Sequence, residues 1–285
     1  MTIASLKEEW ADLLSRRAEL RGTLSVYDDL FDAWERWTPG RLTPLGWGRE
    51  DCRRRWERGV PLLADAPPPI RADELEELLA AAMERVVVLA NDARPSLGRL
   101  AEAWDRGEIA PAALFPAPGR VGSRAVEEAS GLAPEVAAFL AYGCLRPALD
   151  HYFTECRQHL DEHVWKVGVC PFCGSPAGFS DVLEHGQRRL ACHLCGGGWT
   201  FARTRCPHCG NERSRDLVRL EPEDRDQGYL ILGCNGCKAY LKELDRRVRW
   251  NAQSALVEDW GSPHLDLVAS RAGYWRPVPT LLQLA

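Results

Sequence analysis

The chain has 285 residues, 45% of them hydrophobic and 27% charged, with 36 Lys and Arg against 41 Asp and Glu. This ordinary composition excludes a chain that is disordered over most of its length, and the length favours two domains. The formal net charge of −5 disfavours a strongly basic nucleic-acid-binding protein.

The first part of the chain has the pattern of a helical domain. Apolar residues recur at helical spacing in three segments, residues 6–20, 24–37 and 74–92. The Pro-rich run at 67–69 interrupts the pattern, as no helix interior tolerates it. Pro134 suits the first turn of a long helix, which Pro147 should kink or divide before a continuation to about His163. We predict an all-α domain over residues 1–165.

Neither a membrane span nor a secretory signal is indicated. The longest apolar run, residues 86–90, is far shorter than the roughly 18 residues that a spanning helix needs. Lys7, Glu8 and Glu9 stand where a secretory signal would need an apolar core. We therefore expect a cytoplasmic protein without a membrane span.

The pattern changes after Trp165. Four β-favouring stretches follow, at residues 189–191, 199–201, 217–220 and 229–232. Residues 251–285 return to helical spacing in pieces too short to be stable alone, so we expect this tail to pack on the helical domain. The predicted fold class is α+β: an all-α N-terminal domain (1–165), tandem rubredoxin-like or zinc-ribbon-like modules (166–250) and a short helical C-terminal tail (251–285).

Cysteine is the unusual component, with eleven residues. In a cytosolic chain of this size, many cysteines more often indicate metal binding than disulfides. Eight of them form four CxxC pairs: Cys170 and Cys173, Cys192 and Cys195, Cys206 and Cys209, Cys234 and Cys237. Two such turns facing each other supply four thiolates at tetrahedral corners, which suits Zn²⁺ or rubredoxin-type iron. We predict that these eight cysteines bind two metal ions in closed sites.

The four CxxC pairs could combine into two metal sites in two ways. Sequential grouping joins the first pair to the second and the third to the fourth, whereas interleaved grouping joins the first to the fourth. Ten residues separate Cys195 from Cys206, and they include a strand-like segment that can connect one module to the next. This connection favours sequential grouping.

Other candidate residues have simpler interpretations. His193 and His208 lie inside CxxC loops, where exposed histidines are favoured over substitute ligands. His159 and His163, one turn after Cys156, could form a third site, but surface histidines are commoner. The remaining cysteines are interpreted as packing residues: Cys52, Cys144 and Cys156. Neither a Walker motif, nor HExxH, nor a nucleophile with a spaced base stands out, so we expect no enzyme.

Charge in the cysteine-rich region bears on its partners. Residues 166–250 hold 14 Lys and Arg and 10 Asp and Glu. Eight thiolates and two divalent ions would bring this region close to neutral, without the surplus positive charge that nucleic acid attracts. Arg188, Arg189, Arg203 and Arg205 are interpreted as a solvated face, with thiolate shielding or a partner contact as the alternative.

Five segments carry a family resemblance. In chain order they are Cys170-Pro171-Phe172-Cys173-Gly174 with Pro176, Cys192-His193-Leu194-Cys195 with Trp199 and Arg203, Cys206-Pro207-His208-Cys209-Gly210, Cys234-Asn235-Gly236-Cys237 with Ala239-Tyr240-Leu241-Lys242, and His264-Leu265-Asp266-Leu267 with Gly273-Tyr274. They resemble the FdhE family of formate dehydrogenase accessory (formation) proteins. The resemblance is specific over residues 165–275 and general over 1–160. Thr200 departs from it, since many members have His after the Trp.

The resemblance implies a cytoplasmic, rubredoxin-type iron-binding protein without substrate turnover. It also implies a chaperone-like maturation factor that is needed for active formate dehydrogenase and contacts its catalytic subunit. Iron is favoured by the resemblance, and zinc is the alternative. The competing functions are a rubredoxin-like electron-transfer or thiol-redox protein and, less favoured, a nucleic-acid-binding zinc ribbon. We expect no nucleic-acid partner. The chain could form a homodimer.

Overall fold

The computed structural model of the chain describes residues 3–120, 122–221 and 227–284. Within these ranges the helices are α1 (Ile3–Arg16), α2 (Arg21–Leu24), α3 (Asp28–Arg36), α4 (Arg49–Trp56), α5 (Leu62–Asp65), α6 (Glu76–Leu89), α7 (Arg94–Asp105), α8 (Arg124–Ser130), α9 (Pro134–Tyr152), α10 (Ala255–Trp260), α11 (Pro263–Arg271) and α12 (Leu281–Leu284). The strands are β1 (Phe179–Val182), β2 (Arg188–Ala191), β3 (Gly198–Thr200), β4 (Leu217–Leu220), β5 (Tyr229–Cys234) and β6 (Tyr240–Asp245). The predicted α+β fold class, with a helical first part and a sheet-containing second part, is confirmed. None of these helices is long and apolar enough to cross a membrane.

Helix α9 lies at the centre of the helical part, and most of its side chains are buried. Gly143 allows close approach to α6, because a Cβ there would lie 2.9 Å from the Cβ of Ala82. The indole of Trp34, on α3, donates a hydrogen bond of 2.6 Å to the Gly143 carbonyl. Three helices therefore meet at this glycine.

The predicted continuation of α9 to about His163 is wrong. The helix passes through Pro147 undivided and ends at Tyr152, and a 3₁₀ turn, Cys156–His159, follows. The Tyr152 carbonyl accepts a hydrogen bond of 2.8 Å from the Leu45 N–H. A tertiary contact thus takes the acceptor that a further helical turn would use.

One six-stranded sheet joins the two cysteine-rich modules. Its order is β3-β2-β1-β6-β5-β4. All neighbouring strands are antiparallel except β1 and β6, which are parallel with Ser180 opposite Glu243. Each module therefore contributes three strands, and the two meet at the β1–β6 pair. The sequence analysis predicted neither of these two strands.

The hydrophobic core is continuous from the helices into the first module. It includes residues of α1, α3, α6 and α9 together with the first four cysteines of the CxxC series. Trp260 of α10 stacks on Tyr27 with ring centroids 4.1 Å apart and an interplanar angle of 13°. A second, smaller cluster joins β1 of the first module to the second module and α11, and it includes Phe179, Tyr229 and Leu265.

Candidate metal centres

The first sulfur set consists of Cys170, Cys173, Cys192 and Cys195. The Sγ atoms of Cys170 and Cys195 lie 3.5 Å apart, and those of Cys173 and Cys192 lie 3.4 Å apart. Each CxxC turn closes through a following glycine, whose N–H donates to the carbonyl of the first cysteine. Gly174 and Gly196 have φ of +80° and +76°, which is the left-handed conformation that glycine adopts at little cost.

The second sulfur set consists of Cys206, Cys209, Cys234 and Cys237. Its Sγ–Sγ distances are 3.8 Å for Cys206 and Cys237 and 3.7 Å for Cys209 and Cys234. Gly210 closes the first of its turns. The second turn ends instead at Lys238, a non-glycine residue with φ of +59°.

The spacing of the sulfur atoms fits a tetrahedral ion. An ion with four metal–sulfur bonds of about 2.3 Å holds its sulfurs about 3.8 Å apart, whereas a disulfide brings them to about 2.05 Å. The pairs above lie at 3.4 to 3.8 Å, and all four sulfurs of each set lie within 4.8 Å of one another. Each set could therefore hold one metal ion.

The structure groups the CxxC pairs in chain order, the first with the second and the third with the fourth. This is the sequential arrangement, and the interleaved one is absent from it. In the ranges that the structure describes, these two sets are the clusters that could hold a metal. His159 and His163 belong to neither.

Burial and hydrogen bonds among the sulfurs shift the pKa values of the thiols. Burial raises the pKa of Cys170 and Cys173 well above the usual range of a thiol. Burial acts in the same direction on Cys192, but hydrogen bonds from the other three thiols lower its pKa overall. In the second set, burial raises the pKa of Cys237 to about 11. A bound cation would thus have to replace the protons on Cys170, Cys173 and Cys237.

The two sets differ in exposure. Every cysteine of the first set is at most 2% exposed. In the second set Cys209 is exposed and Cys237 is partly exposed. The first set also contacts the helical part directly, because the guanidinium of Arg157 donates to the Cys195 carbonyl at 2.6 Å. Solvent therefore reaches the second set and not the first.

The prediction that His193 is an exposed loop residue is wrong. Its side chain is 3% exposed, and its Nε2 lies 2.8 Å from Oδ2 of Asp259 on α10. The C-terminal helices cover the Cys192–Cys195 turn, which the spacing within that turn could not reveal. His208 is also partly buried, and this burial lowers its pKa to about 4.

A buried network of charged residues was missed at the sequence level. Lys242 Nζ lies 2.8 Å from Asp259 Oδ1 and 2.9 Å from Asp266 Oδ2. Arg276 contacts the same two carboxylates at 2.7 and 3.0 Å, and the Tyr240 hydroxyl donates to Asp266. All five side chains are buried. We call these five residues the buried ion network.

A weak signal for this network exists in the sequence. Tyr240, Lys242 and Leu244 alternate along one segment, which places them on the same face of a strand. Glu243 faces the other way and accepts a hydrogen bond from Arg188 at 2.8 Å. Both Lys242 and Glu243 are fully buried. The interpretation of Arg188 as part of a solvated face is therefore wrong, since its partner Glu243 lies inside the protein.

Part of the chain is similar in sequence to known proteins. No protein-family model matches the chain. A protein FdhE homolog from Stutzerimonas stutzeri (strain A1501) is 34% identical over 119 residues, which are 40% of this chain and 38% of the relative. One from Aquifex aeolicus (strain VF5) is 30% identical over 150 residues, 51% of each chain. These matches thus span about half or less of each relative.

A solved structure has the same fold over nearly the whole chain. The crystal structure of the FdhE protein from Pseudomonas aeruginosa matches with a TM-score of 0.58, covering 98% of this chain and 95% of that one at 24% identity. The predicted resemblance to the FdhE family is confirmed. Within this FdhE-like fold, the two groups of four cysteines are sites that could hold two metal ions.

Proposed function

We propose that the chain is an accessory factor in the maturation of formate dehydrogenase. In this proposal it binds the catalytic subunit in the cytoplasm through its metal-stabilised module and acts as a chaperone. The observation that carries the proposal is the pair of four-cysteine groups within a fold that matches an FdhE protein over 98% of the chain.

We further propose that the eight cysteines of the two sulfur sets are the metal ligands: Cys170, Cys173, Cys192, Cys195, Cys206, Cys209, Cys234 and Cys237. Four thiolates complete the coordination of each ion, so a bound metal would stabilise the module and leave no position for substrate. This argument supports a role without catalysis. Iron would add one-electron redox chemistry, whereas zinc would not.

The proposal keeps the three predicted domains. Residues 1–165 form the helical part, 166–250 the double metal module and 251–285 the tail. The buried ion network connects the tail to the module, because Lys242 lies on β6 whereas Asp259 and Asp266 lie on α10 and α11. The network therefore fixes the tail against the metal module.

Electron transfer is the second candidate function. It is favoured by the exposure of Cys209, since a sulfur at the surface lets an electron leave a rubredoxin-type iron. The first sulfur set, which is buried, offers no such path. Reversible reduction of the purified native protein, followed by its visible absorption, distinguishes this candidate from a colourless zinc protein.

Affinity purification from the native cytosol tests the maturation role. The expected result is enrichment of the formate dehydrogenase catalytic subunit, identified by mass spectrometry. A Cys173→Ser variant should lose the partner, whereas Cys144→Ser, which changes a buried thiol outside both sulfur sets, should retain it. Enrichment of RNA polymerase or ribosomal proteins without the dehydrogenase would overturn the proposal.

A further inference from the structure

A cavity of about 240 Å³ lies beside the second sulfur set, with Cys206 and Cys234 in its wall. Four arginines line it: Arg188, Arg203, Arg205 and Arg219. No Asp or Glu belongs to the described residues that form its wall. The arginines therefore give the cavity positive charge, part of which the thiolates of Cys206 and Cys234 would offset in the metal-loaded protein.

Only part of this charge is compensated within the protein. Arg188 is neutralised by the buried Glu243 at 2.8 Å. Arg205 Nε lies 3.5 Å from Glu212 Oε1, but that carboxylate is 70% exposed, and exposed pairs contribute little. Arg203 donates to the Gly186 carbonyl at 3.4 Å, whereas its buried Nε has no hydrogen-bond partner among the described residues.

Repulsion among the guanidinium groups also indicates that the positive charge in the cavity is only partly compensated. Burial lowers the pKa of Arg188, and the charges of Arg203 and Arg219 lower it further, against the opposing effect of Glu243. Guanidinium groups that repel one another in this way are stabilised by an anion that binds between them. Guanidinium groups offer planar N–H pairs that match a carboxylate or a phosphate.

The rest of the wall selects among anions. Val218, Leu232 and Leu241 contribute apolar surface to the cavity. An inorganic ion would leave this surface without a partner, whereas an alkyl or aryl group would cover it. The volume is smaller than the roughly 300–1,000 Å³ of sites for drug-sized ligands, which argues against a nucleotide.

We propose that this cavity binds a carboxylate carried on a short apolar body. Arg203 and Arg219 would contact the carboxylate, and the apolar side chains would cover the remainder. Two sources share this chemistry: an acidic side chain within an apolar segment of a partner protein, and a free organic acid. The inference goes beyond the proposed function and does not rest on it.

Equilibrium dialysis of the metal-loaded full chain against radiolabelled hexanoate tests the cavity. We expect saturable binding of one equivalent, weakened about tenfold or more in Arg203→Gln and in Arg219→Gln, since each removes a charge-assisted hydrogen bond. Arg215→Gln is the matched control, because Arg215 is 80% exposed and does not line the cavity. It should bind hexanoate as the unchanged chain does. Arg219 is itself exposed, so its replacement keeps the test valid if Arg203→Gln misfolds.

Three results would overturn the proposal. One is the absence of saturable hexanoate binding, and another is binding that survives unchanged in the folded arginine variants. The third is equal displacement of hexanoate by hexanamide, which lacks the charge, or by inorganic phosphate, which lacks the apolar body.

A competition experiment then distinguishes the sources. Excess hexanoate is added to the complex of the chain with the formate dehydrogenase catalytic subunit. Release of the subunit supports a partner's acidic segment as the occupant, and an intact complex supports a free organic acid. If no complex forms at all, the proposed maturation role fails, while the dialysis result still decides whether the cavity binds a carboxylate.

Discussion

His193 Nε2 and Asp259 Oδ2 lie 2.8 Å apart in the interior of the protein. His193 follows Cys192 in the first sulfur set, and Asp259 lies on α10 in the C-terminal tail. Arg276 and Lys242 contact the same carboxylate, and these two cations with His193 lower its pKa far below the usual range, against the effect of burial. The first sulfur set and the tail are thus held together by one buried charge.

Removal of the negative charge of Asp259 should lower the stability of the protein. We expect Asp259→Asn to lower the free energy of unfolding by about 3–5 kcal/mol, because Lys242 and Arg276 would keep their buried charges with one carboxylate fewer. Urea unfolding at neutral pH measures the change. Asp51→Asn is the control, since Asp51 is 44% exposed and its surface pairs are worth less than about 1 kcal/mol. Equal effects of the two variants would contradict the importance of the network.

The stacking of Trp260 on Tyr27 predicts that the tail stabilises the helical part. We expect Trp260→Ala to cost about 3–5 kcal/mol, as the loss of a large buried aromatic side chain usually does. Trp250→Ala is the matched control, because Trp250 is 82% exposed and its loss should change stability by less than about 0.5 kcal/mol. Thermal unfolding of both variants checks the difference, and a small effect of Trp260→Ala would show that the contact contributes little.

Loss of one sulfur should remove one metal ion. We expect Cys173→Ser and Cys209→Ser each to bind one ion per chain where the unchanged protein binds two, because a closed site needs all four ligands. Cys173→Ser should also lower the melting temperature more, since its site is part of the main core. Metal analysis and thermal unfolding measure both properties. Cys144→Ser should keep two ions, and an unchanged metal content in either ligand variant would remove that cysteine from the set.

Exposure predicts the order in which the metal ions leave. A chelator reaches the second sulfur set through Cys209, whereas the first set is at most 2% exposed. We therefore expect two phases of metal release, the faster of which disappears in Cys209→Ser. A coloured indicator of the released metal follows both phases. Release in a single phase, or loss of the slower phase in that variant, would contradict the difference in exposure.

Local patterns in the sequence predicted much of the cysteine-rich part of the chain. The stretch at 217–220 coincides with β4, and the stretch at 189–191 differs from β2 by one residue. The convergence of CxxC pairs followed from the geometry of their turns. These features depend on nearby residues, so spacing and composition were sufficient to find them.

The features that were missed depend on distant parts of the chain. Strand β6, which was not predicted, contains the charged residues Lys242 and Glu243. They are buried because Arg188, Asp259 and Asp266 compensate them from other elements. The end of α9 likewise depends on Leu45, more than a hundred positions away in sequence. No local pattern contains such partners.

The parallel pairing of β1 with β6 has a consequence for synthesis of the protein. The strand that covers the second edge of β1 is the last strand of the sheet to leave the ribosome. Until then, β1 presents unpaired backbone groups, which other extended chains can recognise. The first module is therefore prone to aggregation until the second module has been synthesised and β6 pairs with β1. The sheet is completed only late in translation.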